Sequence, residues 1–327
     1  MTRKRSQFDL RRLTTEQPNP SARELDTKSA IEIARIINAE DAKVAAAVQN
    51  ALPRIATAID WVAHSLRNGG RLIYVGAGTS GRIAALDAAE CPPTFNTNPK
   101  MVQFVIAGGA KALAGATEAD EDSRALGIRE MKRKRLGSQD VVVGLAASGR
   151  TPFTVAAVQH ARRAGAKTVA ITCNRGTPLS KVAELAIVVE TGPEVLAGST
   201  RMKAGTAEKM VLNILSTGAM VRLGYVYGNL MVNLHRKNSK LAERSVSIVQ
   251  RALGVTQREA LEALRAAKNS VPVAIVMSKA GVSRATAARS LVHSQGHVRN
   301  AIALAKRMQH SYASGVRQSK PRRGEPA

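Results

Sequence analysis

Aromatic side chains are scarce in this chain: four Phe, four Tyr and one Trp make up 3% of 327 residues. A hydrophobic content of 44% must therefore build its core mainly from Ala, Val, Ile and Leu. Cysteine is nearly absent. Cys91 and Cys173 cannot form a disulfide framework, and they fit a reducing compartment. No stretch approaches the roughly 18 apolar residues of a membrane span, and the amino terminus has no apolar leader. These absences predict a soluble, cytoplasmic protein with no membrane-spanning helix.

Acidic residues are also in short supply, 24 against 49 Lys and Arg, for a net charge of +25. From Lys279 onward ten basic residues face the single acid Glu325. Such a surface attracts polyanions at low salt. Stacking on single-stranded nucleic acid needs interleaved aromatics, and these stretches have almost none. The charge therefore reads as a solvated surface, and nucleic acid is the lesser alternative as a partner. The basic stretch Ser278–Ala287, with Gly281 inside it, reads like a helix-turn-helix, although glycine-turned helical hairpins are common. His293 and His297 have the i, i+4 spacing of a metal pair, but Gly296 interrupts the turn and no carboxylate lies near, so no metal is expected.

Periodicity divides the chain into a flexible segment over 1–21, an α/β domain over 22–230, an all-helical module over 238–312 and a disordered basic tail over 313–327. Helices are predicted over Ala30–Ile37 and Ala42–Leu66. Short apolar runs at Leu72–Val75, Val102–Ala107, Val141–Ala146, Thr168–Thr172 and Ala186–Val189 read as strands. Helical segments at Arg82–Ala89, Ala119–Arg135, Pro152–Ala164 and Leu179–Ala183 separate them, and Ala204–Leu223 closes the domain. This alternation implies a parallel five-stranded sheet sandwiched by helices.

Three loops at the carboxyl ends of strands repeat one design. They are Gly76-Ala77-Gly78-Thr79-Ser80-Gly81, Ser148-Gly149-Arg150-Thr151, and Ser199-Thr200-Arg201-Met202-Lys203. Glycines and short hydroxyls at helix starts suit a phosphate. No lysine follows Gly81, so this is not a P-loop, while the glycine spacing does superimpose on the dinucleotide fingerprint. Ser and Thr are also ordinary N-caps, and one such loop alone would carry no weight. Three that converge on one sheet edge point to a phosphorylated ligand.

Ser148–Thr151 resembles the phosphosugar-binding loop of SIS domains. Leu13–Gln17, Ile36-Ile37-Asn38-Ala39-Glu40-Asp41, the run Gly76–Thr94, Glu121-Asp122-Ser123 and Ser199–Ala207 together resemble the N-acetylmuramic acid 6-phosphate etherases, over roughly residues 10 to 300. The related glucokinase regulatory proteins share the fold without the chemistry. The resemblance implies a cofactor-free lyase and a homodimer, with a small-molecule phosphosugar as substrate, no membrane partner, and a place in cell-wall sugar recycling. It implies Glu90, before Cys91-Pro92-Pro93, as the acid at the ether oxygen, and Glu121, before Asp122-Ser123, as the base for water addition. Either could take the C2 proton. Ser148, Gly149, Arg150 and Thr151, with Thr79 and Ser80, would hold the 6-phosphate, and Ser199, Arg201 and Lys203 would complete the anion site. For the other acids near Glu121 (Glu118, Asp120 and Asp122) the ordinary preference of carboxylates for a helix start is explanation enough. Two other readings stay open: a phosphosugar-sensing regulator without turnover, and an aldose–ketose isomerase on the same fold.

Overall fold

The computed structural model describes residues 13–115, 118–234 and 239–317. The chain divides into two compact units, one of residues up to 92 and 98–219, the other of 93–97 and 220 onward. In the first unit β1 (Leu72–Gly76), β2 (Val102–Ile106), β3 (Val141–Leu145), β4 (Lys167–Thr172) and β5 (Leu185–Val188) form one sheet in the order β2-β1-β3-β4-β5. Every pairing is parallel, with Gly76 opposite both Ile106 and Leu145. All five carboxyl ends therefore open on one edge.

Helices α1 (Ala30–Asp41) and α2 (Val44–Arg67) precede the sheet, and α3 (Gly78–Phe95) follows β1. The short α4 (Glu118–Glu121), then α5 (Arg124–Lys134), α6 (Pro152–Arg163), α7 (Pro178–Val182) and α8 (Lys203–Arg222) complete this part of the chain. Ile73, Val75, Val142 and Ala170 pack with Met131, Phe153, Val158 and Leu179, so α5, α6 and α7 cover one face. Alternate residues point the other way. On that side Tyr74, wholly buried, donates its hydroxyl to Asp87 of α3 at 2.8 Å. Asp87 also accepts from Asn213 and Ser216 of α8, at 2.9 and 3.0 Å. Burial pushes the Asp87 carboxyl up and the three donors pull it back, so one acid ties α3 to both the sheet and α8. At the opposite edge of the sheet, Arg71 forks onto both oxygens of Asp140 at 2.9 and 2.7 Å, joining the starts of β1 and β3.

Three sequence expectations need correction. The segment expected as one helix over Ala119–Arg135 breaks at Asp122–Ser123, where the Ser123 hydroxyl accepts from the Leu126 N–H at 3.2 Å and starts α5 afresh. The glycine run is not a turn ahead of a helix: α3 begins at Gly78 itself. Gly81 is small because a Cβ there would lie 2.5 Å from Ile106 of β2. Residues 13–21, read as flexible, carry two short helical turns and bury Leu13 and Thr15, while 313–317 belong to the last helix. The remaining parts of the expected flexible ends, 1–12 and 318–327, lie outside the described residues.

The second unit contains α9 (Ser239–Leu253), α10 (Gln257–Ala266), α11 (Val271–Ala280), α12 (Arg284–His293) and α13 (Val298–Arg317) around Val249, Leu264, Ile275, Ala287 and Ala301. Gly281, left-handed, ends α11, and Ser283 caps α12. His293 hydrogen-bonds the Arg289 carbonyl on α12, whereas His297 lies beyond the Gly296 turn, so the two imidazoles do not share a helix face. No described helix is long and apolar enough to cross a membrane.

Replacing Asp87 by Ala strands three buried or half-buried donors, and we expect a loss of about 3–5 kcal/mol in urea unfolding. Tyr74→Phe, which removes only one partner, should cost about 1 kcal/mol by the same measurement.

Candidate active site

The three loops meet as the parallel sheet requires, but their helix starts are not equivalent. At the start of α8, Glu194, wholly buried, accepts from the Lys203 and Ala204 N–H groups at 3.0 and 2.9 Å. A carboxylate of the protein thus fills that positive terminus. The Lys203 side chain turns inward and forms a buried ion pair with Glu40 of α1. Its ammonium faces Glu40 rather than the open edge, so the anion-site role expected for Lys203 is replaced here by an internal one. Burial opposes charge on Glu40, but hydrogen bonds from Lys203, Lys43 and Asn19 outweigh it and hold the carboxyl down to about 2. Ser199 and Thr200 stay half-buried on the preceding loop, and Arg201 is exposed.

At the start of α3, Glu121 takes the corresponding place. Its Oε1 lies so close to Gly78 that a Cβ there would come within 2.8 Å, and Gly78 is itself left-handed. The break after α4 is what aims this carboxyl at the glycine loop. Next to it, Thr79 packs on Gly205 of α8, whose Cβ would lie 3.5 Å from Thr79 Cγ2. The Ser80 hydroxyl bonds Glu208, one turn further along α8, at 2.9 Å. The Arg82 guanidinium donates to the Gly115 carbonyl at 2.6 Å and fastens the loop after β2 beside the site.

Among the described residues, no such carboxylate caps the third start, that of α6. Gly149 adopts φ +64° and sits against Thr177, where any Cβ would clash at 2.3 Å. The Ser148 hydroxyl accepts from the Arg150 N–H at 3.2 Å, and no side chain caps the helix at Thr151. Ser148, Arg150 and Thr151 are each half-buried at this edge. Below them Asn174 braces the floor. Its amide donates to the Ala147 carbonyl at 3.0 Å and to the Thr15 hydroxyl at 3.2 Å, and its oxygen accepts the Thr14 N–H at 2.9 Å. Gly198 N–H donates to the Thr15 carbonyl at 3.1 Å, so the Leu13–Gln17 segment links the loops after β4 and β5.

Glu90 stands apart. It is exposed on α3, twelve residues beyond Gly78, which is about 18 Å along the helix axis. Glu121 therefore lies against the first turn of α3, and Glu90 about three turns beyond it. Leu86, one turn before Glu90 on the same face, is 53% exposed.

Asn174, Glu194 and Glu208 carry no motif signal in the sequence. Asn174 follows a strand and could have been suspected as a sheet-edge residue. Glu194 and Glu208 read as ordinary loop and helix acids.

The Glucokinase regulatory protein N-terminal SIS domain family matches residues 54–162, and the SIS domain family matches residues 123–217. N-acetylmuramic acid 6-phosphate etherase of Streptomyces avermitilis is 50% identical over 301 residues, covering 92% of this chain and 97% of its own length. The protein of that name from Vibrio vulnificus is 48% identical over 295 residues, covering 90% and 98%. The chain belongs to the N-acetylmuramic acid 6-phosphate etherase family. A putative phosphosugar isomerase from Bacteroides fragilis, of solved structure, aligns at TM-score 0.47 and 21% identity, over 64% of this chain and 98% of its own.

Within that family frame, the motifs Ile36–Asp41 and Ser199–Ala207 acquire a physical reason: they supply the two halves of the Glu40–Lys203 pair. Lys203→Met removes the buried cation of Glu40 and leaves it only the exposed Lys43 and Asn19, and we expect a loss of about 3 kcal/mol in urea unfolding. Because its folded pKa is depressed, Glu40 contributes about 3 kcal/mol of stability above pH 4.5. That contribution is lost as pH falls toward about 2. Acid titration of the unfolding free energy should show this limb in the native chain and flatten it in Glu40→Gln.

Proposed function

We infer that this protein cleaves the D-lactyl ether of N-acetylmuramic acid 6-phosphate, releasing D-lactate and N-acetylglucosamine 6-phosphate. The observation that carries this reading is identity near one half to etherases over about nine-tenths of the chain; Glu90 and Glu121 stand where the motif resemblance implies the two acid–base groups. Two carboxyl groups distinguish it from a regulator, since binding alone needs neither. An ether resists direct attack near neutral pH. Opening the ring exposes an aldehyde at C1 that acidifies the C2 proton, so elimination across C2–C3 can expel lactate. One group must take the C2 proton and another must protonate the departing oxygen. Water then adds at C3. Each positioned acid or base contributes about 10²–10⁴-fold.

In this reading the 6-phosphate takes the start of α6, with Ser148, Arg150 and Thr151 as side-chain donors and the Gly149 turn letting it approach. Thr79 and Ser80 close the site from α3. Ser199 and Arg201 meet the lactyl carboxylate, and Lys203 supports their loop from behind. Glu121 serves as the base that activates water, and Glu90 as the acid at the ether oxygen. Glu121 lies against the first turn of α3 and Glu90 about three turns further along it, and this separation supports a homodimer in which Glu90 of one copy completes the site holding Glu121 of the other. Exposed Leu86 beside Glu90 gives that contact an apolar anchor. Two buried free thiols fit a cytoplasmic role in recycling wall-derived amino sugars.

The first test is D-lactate release from N-acetylmuramic acid 6-phosphate. Glu90→Gln and Glu121→Gln should each abolish it while leaving phosphosugar binding intact; near-full rate in either variant would overturn the assignment. Mixing the two inactive variants after subunit exchange should restore about a quarter of native activity, because half the dimers are mixed and each rebuilds one of two sites. No recovery after proven exchange would place both carboxyls in one chain.

A further inference from the structure

Glu208 is an acid in a place where an acid is costly. It lies on α8, 1% exposed, and its hydrogen bond to Ser80 points toward the first turn of α3. Gly205, one turn earlier, lets α3 and α8 approach at Thr79, so the Glu208 carboxyl is held directly behind the Ser80 hydroxyl. The titratable group facing it from the loop after β4 is Cys173, whose thiol is pushed up by burial and by the charge of Glu208 and Glu194. The charged groups at the start of α8 are engaged elsewhere: Lys203 with Glu40, and Glu194 with the helix backbone. No described salt bridge involves Glu208.

We propose that Glu208 works as a neutral carboxylic acid that positions Ser80, donating its proton to the Ser80 oxygen so that the Ser80 hydroxyl can donate to the bound phosphosugar anion. A serine hydroxyl has a single proton to give. If Glu208 is ionised it can only accept, and it claims that proton. Ser80 then turns lone pairs toward the ligand, with a negative charge behind them. If Glu208 is protonated, the relay runs Glu208 to Ser80 to anion and no charge opposes binding. Burial pushes the carboxyl up to about 8 even against the Ser80 hydrogen bond, so the neutral form prevails at neutral pH. The phosphate monoester loses its second proton near pH 6, well below this, so the ligand is a dianion throughout the range that matters. Glu208 is a positioning residue for the anion site, and this role rests on the functional reading that puts Ser80 there.

The test is calorimetric binding of N-acetylglucosamine 6-phosphate from about pH 6.5 to 9.5, which needs no turnover, beside D-lactate release at each pH. In the native chain Kd and KM should rise above about pH 8, approaching tenfold per pH unit, with kcat little changed. Glu208→Gln, whose amide donates at every pH, should lose that alkaline rise, whereas Glu208→Leu should bind weakly at all pH. A Gln variant that follows the native profile overturns the inference, and so does absence of binding at any pH. Normal pH-dependent binding with no lactate would instead overturn the etherase reading and leave the role of Glu208 standing. Stability supplies an independent readout. Because the folded pKa is raised, the stabilisation from a neutral Glu208 is full below about pH 4.5 and declines as pH rises to about 8. The stability gap between native and Gln variant should therefore shift over that window; a constant gap shows an ionised Glu208 and overturns the proposal.

Discussion

The buried contact among Glu40, Lys203 and Glu194 governs the site end of the first unit. A lysine with almost no exposure is tolerated only because its charge is matched by an equally buried carboxylate, and removing Glu40 leaves the Lys203 ammonium stranded in a medium that cannot solvate it. Glu194 adds a second restraint by taking the first two N–H groups of α8. Together they fix where α8 begins. The phase of everything further along the helix follows: Gly205 against Thr79, Glu208 against Ser80, and Asn213 and Ser216 on Asp87. A change in the start of α8 by one residue would rotate each of these about 100° off its partner.

Three parallel strands feeding three helices would, on topology alone, offer three equivalent anion sites. Side chains break that equivalence. Glu194 occupies the start of α8 and Glu121 lies against the start of α3. The start of α6 has Ser148, Arg150 and Thr151 around it, and in the proposed function it is the terminus that takes the phosphate. A protein carboxylate at a helix start neutralises the terminus from within, so one repeated loop design yields helix starts of different charge.

The sheet was legible in the sequence because buried parallel strands are short, apolar and bounded by glycine-rich loops. Leu72–Val75 and Thr168–Thr172 lie inside the strands of the structure, and the all-helical stretch after Lys240 also appears as helices. What escaped is long-range pairing. Glu40 and Lys203 are 163 residues apart, so each looks like a surface charge until the fold joins them. Glu208 has the same ambiguity, since an acid at a helical position ordinarily faces water. The break at Ser123 was hidden by continuous helical composition on both sides, and only the serine hydroxyl offered a local sign of it. The docking of Leu13–Gln17 was visible as a family motif, but its reason, the hydrogen bonds to Asn174, requires the loop after β4 to be in place.

The distance along α3 makes the deepest demand on the chemistry. A straight helix cannot bring residue 90 back to residue 78, and the sheet holds that helix through Tyr74 and Asp87. Elimination needs a base at C2 and an acid at the oxygen on C3, two atoms joined by a single bond. In the proposed assignment one carboxyl, Glu121 of α4, lies against the first turn of α3 and the other, Glu90, lies about three turns further along it. The proposed homodimer meets this demand if the second copy packs along the exposed Leu86–Glu90 face and brings the acid from outside the loops of the first. Binding and proton delivery would in that case be divided between subunits, and an isolated chain could hold substrate without turning it over.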